Sequence, residues 1–175
     1  MNSVIDAIKK RHSCRNYDSG KKIKEDDIIT IIETVRWTPS GKNYQPWGFY
    51  INTNKSDIEK IASYSIYSHF IKQAPCIISV YLNKNESYSY LKDSQAIGAA
   101  IQNILLTAFS LGIASCWIGE ILKNKDEIAQ IHNVGSEFEL MGIVILGYEG
   151  KISTIYKQST RKSIDEILID WKKDT

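Results

Sequence analysis

A chain of 175 residues with 22 basic and 20 acidic side chains, net charge +2, is one compact domain by default and too evenly balanced for a nucleic-acid surface. At 43% hydrophobic and 24% charged it can build a core, and no apolar run approaches the length of a membrane span. Residues 1–6 lack a basic segment leading into an apolar core, so no secretory signal is read there and the expected compartment is the cytoplasm.

In chain order, Ser3 caps a first helix carrying Val4, Ile5 and Ile8. The mixed charges of residues 21–27 read as a solvated entry to a second helix, whose apolar face is Ile28, Ile29, Ile31, Ile32 and Val35. That helix ends by Thr38, because Pro39 follows. Residues 47–51 read as a strand, 57–64 as a short helix and 76–82 as a buried, β-branched strand; residues 64–73 are ambiguous, and residues 84–90 form a polar loop. Residues 89–111 are the longest helical pattern. Ile97, Ile101, Ile104, Leu105, Ala108 and Leu111 cover one side, and Ala96, Ala99, Ala100, Leu106 and Phe109 much of the rest. A helix apolar nearly all round is buried nearly all round, either inside one subunit or between the core and a partner. Gly98, Ala99 and Ala100 permit close approach of another backbone, and Gly112 stops the helix. A strand over 115–118, a helix over 125–132, a strand over 139–147 and a Ser163/Glu166 capping box for a terminal helix with Ile164, Ile167, Leu168 and Trp171 complete an α+β chain with no regular βαβ repeat.

Cys14, Cys76 and Cys116 form no C-x-x-C pair, and the last two sit in apolar runs as small hydrophobes. His12, His69 and His132 lack metal-ligand spacing, so no metal is expected.

Two segments stand apart. In Arg11-His12-Ser13-Cys14-Arg15, an extended backbone turns Arg11, Ser13 and Arg15 to one side and Cys14 to the other. The guanidinium forks suit phosphate oxygens and carbonyl edges. Residues 38–47 follow as a turn-rich stretch holding Ser40, Asn43 and Gln45, which both donate and accept hydrogen bonds. Gln45 precedes Pro46 and is expected to be extended. Read alone, the arginines could be surface ion-pair residues and the second segment a set of turn formers. Read together, they describe a site for a ligand with a phosphate at one end and a flat heteroaromatic edge at the other.

The combination Arg-x-Ser-x-Arg, then Pro-Ser-x-x-Asn-x-Gln-Pro-Trp, resembles the FMN-dependent nitroreductase family. Residues 98–119, with Trp117-Ile118-Gly119, are similar to its central helix and the segment beneath the flavin; Leu146-Gly147-Tyr148 and then Arg161 are similar to its C-terminal end. The resemblance implies a mostly antiparallel sheet flanked by helices, built as an intertwined homodimer. It implies FMN as cofactor, with NAD(P)H as donor and a nitroaromatic, quinone or similar flat acceptor. Arg11 and Ser13 are its expected phosphate ligands, joined by Arg161, with Lys157 and Lys162 as competitors, and His12 is expected among the cofactor-binding residues. Arg15 is the candidate for the N1–O2 side of the ring, where reduction places negative charge. Pro39, Ser40, Asn43 and Gln45 are expected to reach the flavin from the other subunit. Trp117, Ile118, Gly119 and Glu120 are expected beside N5 and O4, with the backbone N–H groups of Gly119 and Glu120 as donors. Some relatives carry an acidic residue and then glycine there, the reverse of this chain, which bears on the Glu120 side chain more than on the backbone contact. A lysine that some members place near the ring has only Lys60 and Lys72 as candidates, by proximity in sequence. No side chain is expected as acid, base or nucleophile, and the lack of a G-x-G-x-x-G element fits transient nicotinamide binding. The competing reading is an FMN storage or sensor protein with little turnover.

Overall fold

The computed structural model describes residues 3–151 and 160–172. The expected elements form with shifts of a residue or two. They are α1 (Val4–Lys10), α2 (Glu25–Val35), β1 (Trp47–Asn52), α3 (Lys55–Ser63), α4 (Ser68–Ile71), β2 (Cys76–Asn83), α5 (Tyr90–Ser110), β3 (Ala114–Ile118), α6 (Lys125–His132), β4 (Phe138–Gly147) and α7 (Ile164–Ile167). The ambiguous stretch before β2 resolves into α4. The capping box at Ser163 and Glu166 forms, but α7 is only one turn long and does not reach Trp171. Among the described residues no helix is long and apolar enough to cross a membrane.

The four strands form one antiparallel sheet in the order β1-β2-β4-β3. Its alternation sorts the core into two layers. Cys76, Ile78, Val80, Leu82, Val144 and Leu146 face α2 and α5, against Ile28, Ile31, Val35, Ile97, Ile101 and Ile104. Ile77, Tyr81, Ile143, Ile145, Cys116 and Ile118 face α3, α4 and α6, against Ile58, Ile61, Phe70, Ile71 and Ile128. With helices on both faces, β2 is buried along nearly its whole length, which is why it reads as a continuous apolar run. The same burial pushes the Cys76 thiol up to about 12.

Some expectations about helix faces fail. Ile29 belongs to the predicted apolar face of α2 but is 58% exposed, whereas Ile28, Ile31 and Val35 are buried in the layer shared with α5 and Ile32 packs against it. The apolar girth of α5 is likewise not all used within one subunit. Ala100 and Ile104 are fully buried in its own core, whereas Ala99, Leu106 and Phe109 are half-buried and Leu91 is exposed. Of the three small residues offered for close approach, Ala100 therefore faces inward. Gly98 faces open space.

Candidate active site

The Arg11–Arg15 run leaves α1 and lies beside the exposed edge of the sheet. Ser13 and Ser115 form a lone parallel bridge, and the Cys14 N–H donates to the Ser115 carbonyl at 2.9 Å. Cys14 is fully buried, while Arg15 is exposed and Arg11 and Ser13 half-exposed, as alternation requires. The thiol of Cys116 registers what surrounds it. Burial pushes it up, and the Arg15 guanidinium, the Ser13 hydroxyl and the Arg11 guanidinium pull it back down. Arg11, Ser13 and Arg15 thus all lie within electrostatic or hydrogen-bonding reach of Cys116 on β3. A cleft of about 250 Å³ opens there, lined by Arg11, His12, Phe109, Ser115 and Glu149 among others. His12 Nε2 lies 2.7 Å from Glu149 Oε1, so the imidazole bridges the arginine run to a carboxylate. Glu149 carried no motif in the sequence.

Farther along β3, Ile118 is buried and Trp117 is 43% exposed. The indole lies against Gly142 of β4, which has φ +153° and no room for a Cβ beside Trp117 Nε1. Only glycine admits both the strand irregularity and the ring. Gly119 is exposed, and no atom stands within 4 Å of where its Cβ would be, so its backbone is open to a ligand. Glu120 turns its side chain inward instead. Its carboxylate accepts from Ser65 Oγ at 2.7 Å and pairs with Lys123. Lys123, then Ser65, hold it below the usual carboxylate range. That side chain fixes the α3–α4 connection and leaves the backbone of residues 119–120 as the available donor.

The second cluster sits elsewhere. Gly41–Asn43 form a short turn just before β1, with Lys42 and Asn43 in the left-handed region. Pro39 and Asn43 are exposed and Ser40 is half-exposed. Gln45 is not extended: its φ is +51°. Ser40 Oγ accepts from the Gln45 N–H at 2.9 Å, and the Gln45 carbonyl accepts from the Trp47 N–H at 2.8 Å. These local bonds close a tight turn that overrides the pre-proline preference. Trp47 pairs with Leu82, and Leu82 with Glu139, whereas Ser115 pairs with Leu146. The loop and the arginine run therefore occupy diagonal corners of one sheet, three strand spacings and seven β4 residues apart, which is roughly 27 Å at ordinary sheet spacings.

Arg161 lies on the exposed segment 160–172, where its guanidinium donates to the Thr160 carbonyl at 3.0 Å. Lys162 is exposed on the same segment, and Lys157 lies outside the described residues. Lys60 is exposed on α3. Lys72 lines a cleft of about 620 Å³ at the β1 edge with Ile28, Ile51 and Ile58, away from Trp117.

The donor set fits a phosphorylated planar cofactor. Cations and a hydroxyl gather at one end of β3, and an exposed indole and open backbone follow at the other. The model of the nitroreductase family matches residues 8–66 and 62–148. The chain belongs to this family. A protein of Archaeoglobus fulgidus assigned as an NADH dehydrogenase/NAD(P)H nitroreductase is 28% identical over 170 residues, covering 95% of this chain and 97% of its own length. A like-named protein of Methanothermobacter thermautotrophicus is 31% identical over 147 residues, 83% of this chain and 76% of its own. Among solved structures, a nitroreductase of Desulfovibrio desulfuricans in complex with FMN superposes with a TM-score of 0.88 at 28% identity, covering 99% of each chain.

Proposed function

We propose that this family member is an FMN-dependent oxidoreductase that takes electrons from NAD(P)H and delivers them to nitroaromatics, quinones or similar flat acceptors. It acts as a cytoplasmic homodimer whose sites are each built from both chains. FMN, when bound, supplies the hydride relay of a ping-pong cycle. Arg11, His12 and Ser13 hold the phosphate, with Arg161 or Lys162 closing over it. Arg15 sets a fixed positive charge at the N1–O2 edge, aimed at charge that develops on reduction. Trp117 and Ile118 form the floor beside the ring, and the N–H groups of Gly119 and Glu120 face N5 and O4. The partner's Pro39, Ser40, Asn43 and Gln45 close the remaining edge. Positioning, more than proton transfer, is what these residues contribute.

The observation that carries the two-chain reading is the diagonal separation of the two clusters on one sheet, with both of them open to solvent. Surface exposure agrees with it. Val4, Ile5 and Ile8 of α1, Trp37, and Ile164, Ile167, Ile169 and Trp171 near the C-terminus are all more than half exposed. Apolar surface on that scale calls for a partner.

The test is to purify the protein, release its cofactor by heat and weigh it. FMN is expected. NAD(P)H should then bleach the flavin without oxygen, and a nitroaromatic or quinone should restore its colour within seconds. Finding FAD or no flavin would overturn the reading. Slow recovery with every acceptor would favour flavin storage or sensing.

A further inference from the structure

The loop before β1 carries an unusual backbone load. Lys42, Asn43 and Gln45 all have positive φ, at 54°, 57° and 51°. Side chains other than glycine adopt that region rarely, and it persists only where the surroundings hold it. Within the loop, the Ser40 hydroxyl and the Gln45 amide make local bonds. From outside, Tyr88 bears on it. The Tyr88 ring meets Tyr44 edge-on, with centroids 5.6 Å apart at 84°, and Lys42 Nζ stands 5.1 Å from its centroid. The Tyr88 hydroxyl occupies the space that a Cβ on Gly41 would fill.

Tyr88 is itself anchored. Its N–H, the Ser89 N–H and the Ser87 hydroxyl all donate to one oxygen of Asp93, at 3.0, 3.0 and 2.7 Å. Asp93 is fully buried on α5, and no bond to its second oxygen is formed among the described residues. A buried carboxylate that gathers three donors from one turn makes a stiff mount. Neither Tyr88 nor residues 41–45 belong to the two core layers, so holding the fold together is not what this contact does.

We propose that Tyr88, seated by Asp93, is a positioning residue that presses on Gly41 and Tyr44 and keeps residues 40–45 in the shape that presents Asn43 and Gln45 to the cofactor. This rests on the reading above, in which that loop contacts FMN. Preorganising a loop raises affinity by removing the ordering cost at the moment of binding. The contact with Gly41 gives the proposal a signature. A methyl at position 41 and the Tyr88 side chain compete for one space, so their effects must be coupled.

The experiment measures FMN affinity, the visible circular dichroism of the bound flavin and apoprotein melting for wild type, Tyr88→Ala, Tyr88→Phe, Gly41→Ala and the Gly41→Ala/Tyr88→Ala double variant, with Arg11→Gln alongside. Tyr88→Ala should weaken FMN about ten-fold, alter the dichroism and leave the melting temperature nearly unchanged. Tyr88→Phe should retain most of the affinity. Gly41→Ala should weaken binding alone, yet add little in the Tyr88→Ala background. Wild-type affinity in both Tyr88→Ala and Gly41→Ala would overturn the proposal, as would single effects that simply multiply in the double variant. If Arg11→Gln loses FMN while the Tyr88 and Gly41 variants do not, only this proposal fails. If wild type binds no FMN, the functional reading fails first.

Discussion

Ser13 and Ser115 are the only point at which the arginine run touches the sheet as a β-bridge among the described residues, and everything proposed for Arg11 and Arg15 hangs on that bridge. It fixes which way the run faces. It sends Cys14 into the core and keeps both guanidiniums within electrostatic reach of Cys116 on β3. A shift of one residue would exchange the arginines for Cys14.

The two arginines then separate by what they face. Arg15→Gln keeps a hydrogen-bonding side chain and removes the charge, so it should lower the flavin midpoint potential by tens of millivolts and slow reduction by NAD(P)H. A hydrogen bond to a charged group is worth roughly 1.5–3 kcal/mol. Arg11→Gln should instead weaken FMN binding and leave the potential alone, because the phosphate charge does not change on reduction. A redox titration and an affinity measurement on both variants check this. An unchanged potential in Arg15→Gln, with loosened FMN, would make Arg15 a phosphate ligand.

The outer face of α5 and the exposed face of α1 should lie in the dimer interface. Ala99→Glu with Leu106→Lys alters half-buried positions and spares the subunit core, unlike changes at Ala100 or Ile104, which are fully buried. The expected result in sedimentation is a smaller, flavin-poor species. A variant that stays dimeric with full flavin would place the interface elsewhere.

His132 predicts the acid behaviour of the fold. Its ring is buried, stacked on Tyr50 at 4.0 Å, with Nδ1 2.5 Å from the Tyr81 hydroxyl and Nε2 2.9 Å from the Asn52 amide. Burial drives its pKa down to about 4, with Asp57 pulling weakly the other way. The unfolded chain therefore binds a proton that the folded one refuses. Stability is full above the unfolded histidine value of about 6.5 and falls as pH drops from there toward 4. The loss is on the order of 3 kcal/mol. Denaturant melts between pH 7 and 5 should show this slope, and His132→Gln should flatten it. An equal slope in the variant would assign the loss to other groups.

Much of this was legible in the sequence because it follows from periodicity. The strand-like alternation at Arg11, Ser13 and Arg15, the continuous apolar run of β2 and the cap at Ser3 all reflect local rules that tertiary packing did not override. What was hidden depended on partners distant in sequence. Glu149 is recognisable only once His12 lies against it, and Tyr88 only once its hydroxyl occupies the space at Gly41. The pre-proline rule failed at Gln45 because the hydroxyl of Ser40, five residues earlier, accepts from its N–H, a bond that no propensity scale includes. Ile29 failed because periodicity shows that a face is apolar, not how wide the neighbouring helix is.

The most direct test of a site built by two chains is complementation between two dead variants. Arg11→Glu/Arg15→Glu removes one cluster and Asn43→Asp/Gln45→Glu the other, and each homodimer should fold yet hold almost no FMN. In a mixed dimer, one site receives intact arginines from one chain and an intact loop from the other. Co-expression with two different tags and purification of the mixed species should yield about one FMN per dimer and roughly half of wild-type activity. A mixed dimer as empty and inactive as its parents would show that both clusters serve the site of a single chain, and the two-chain account would be wrong.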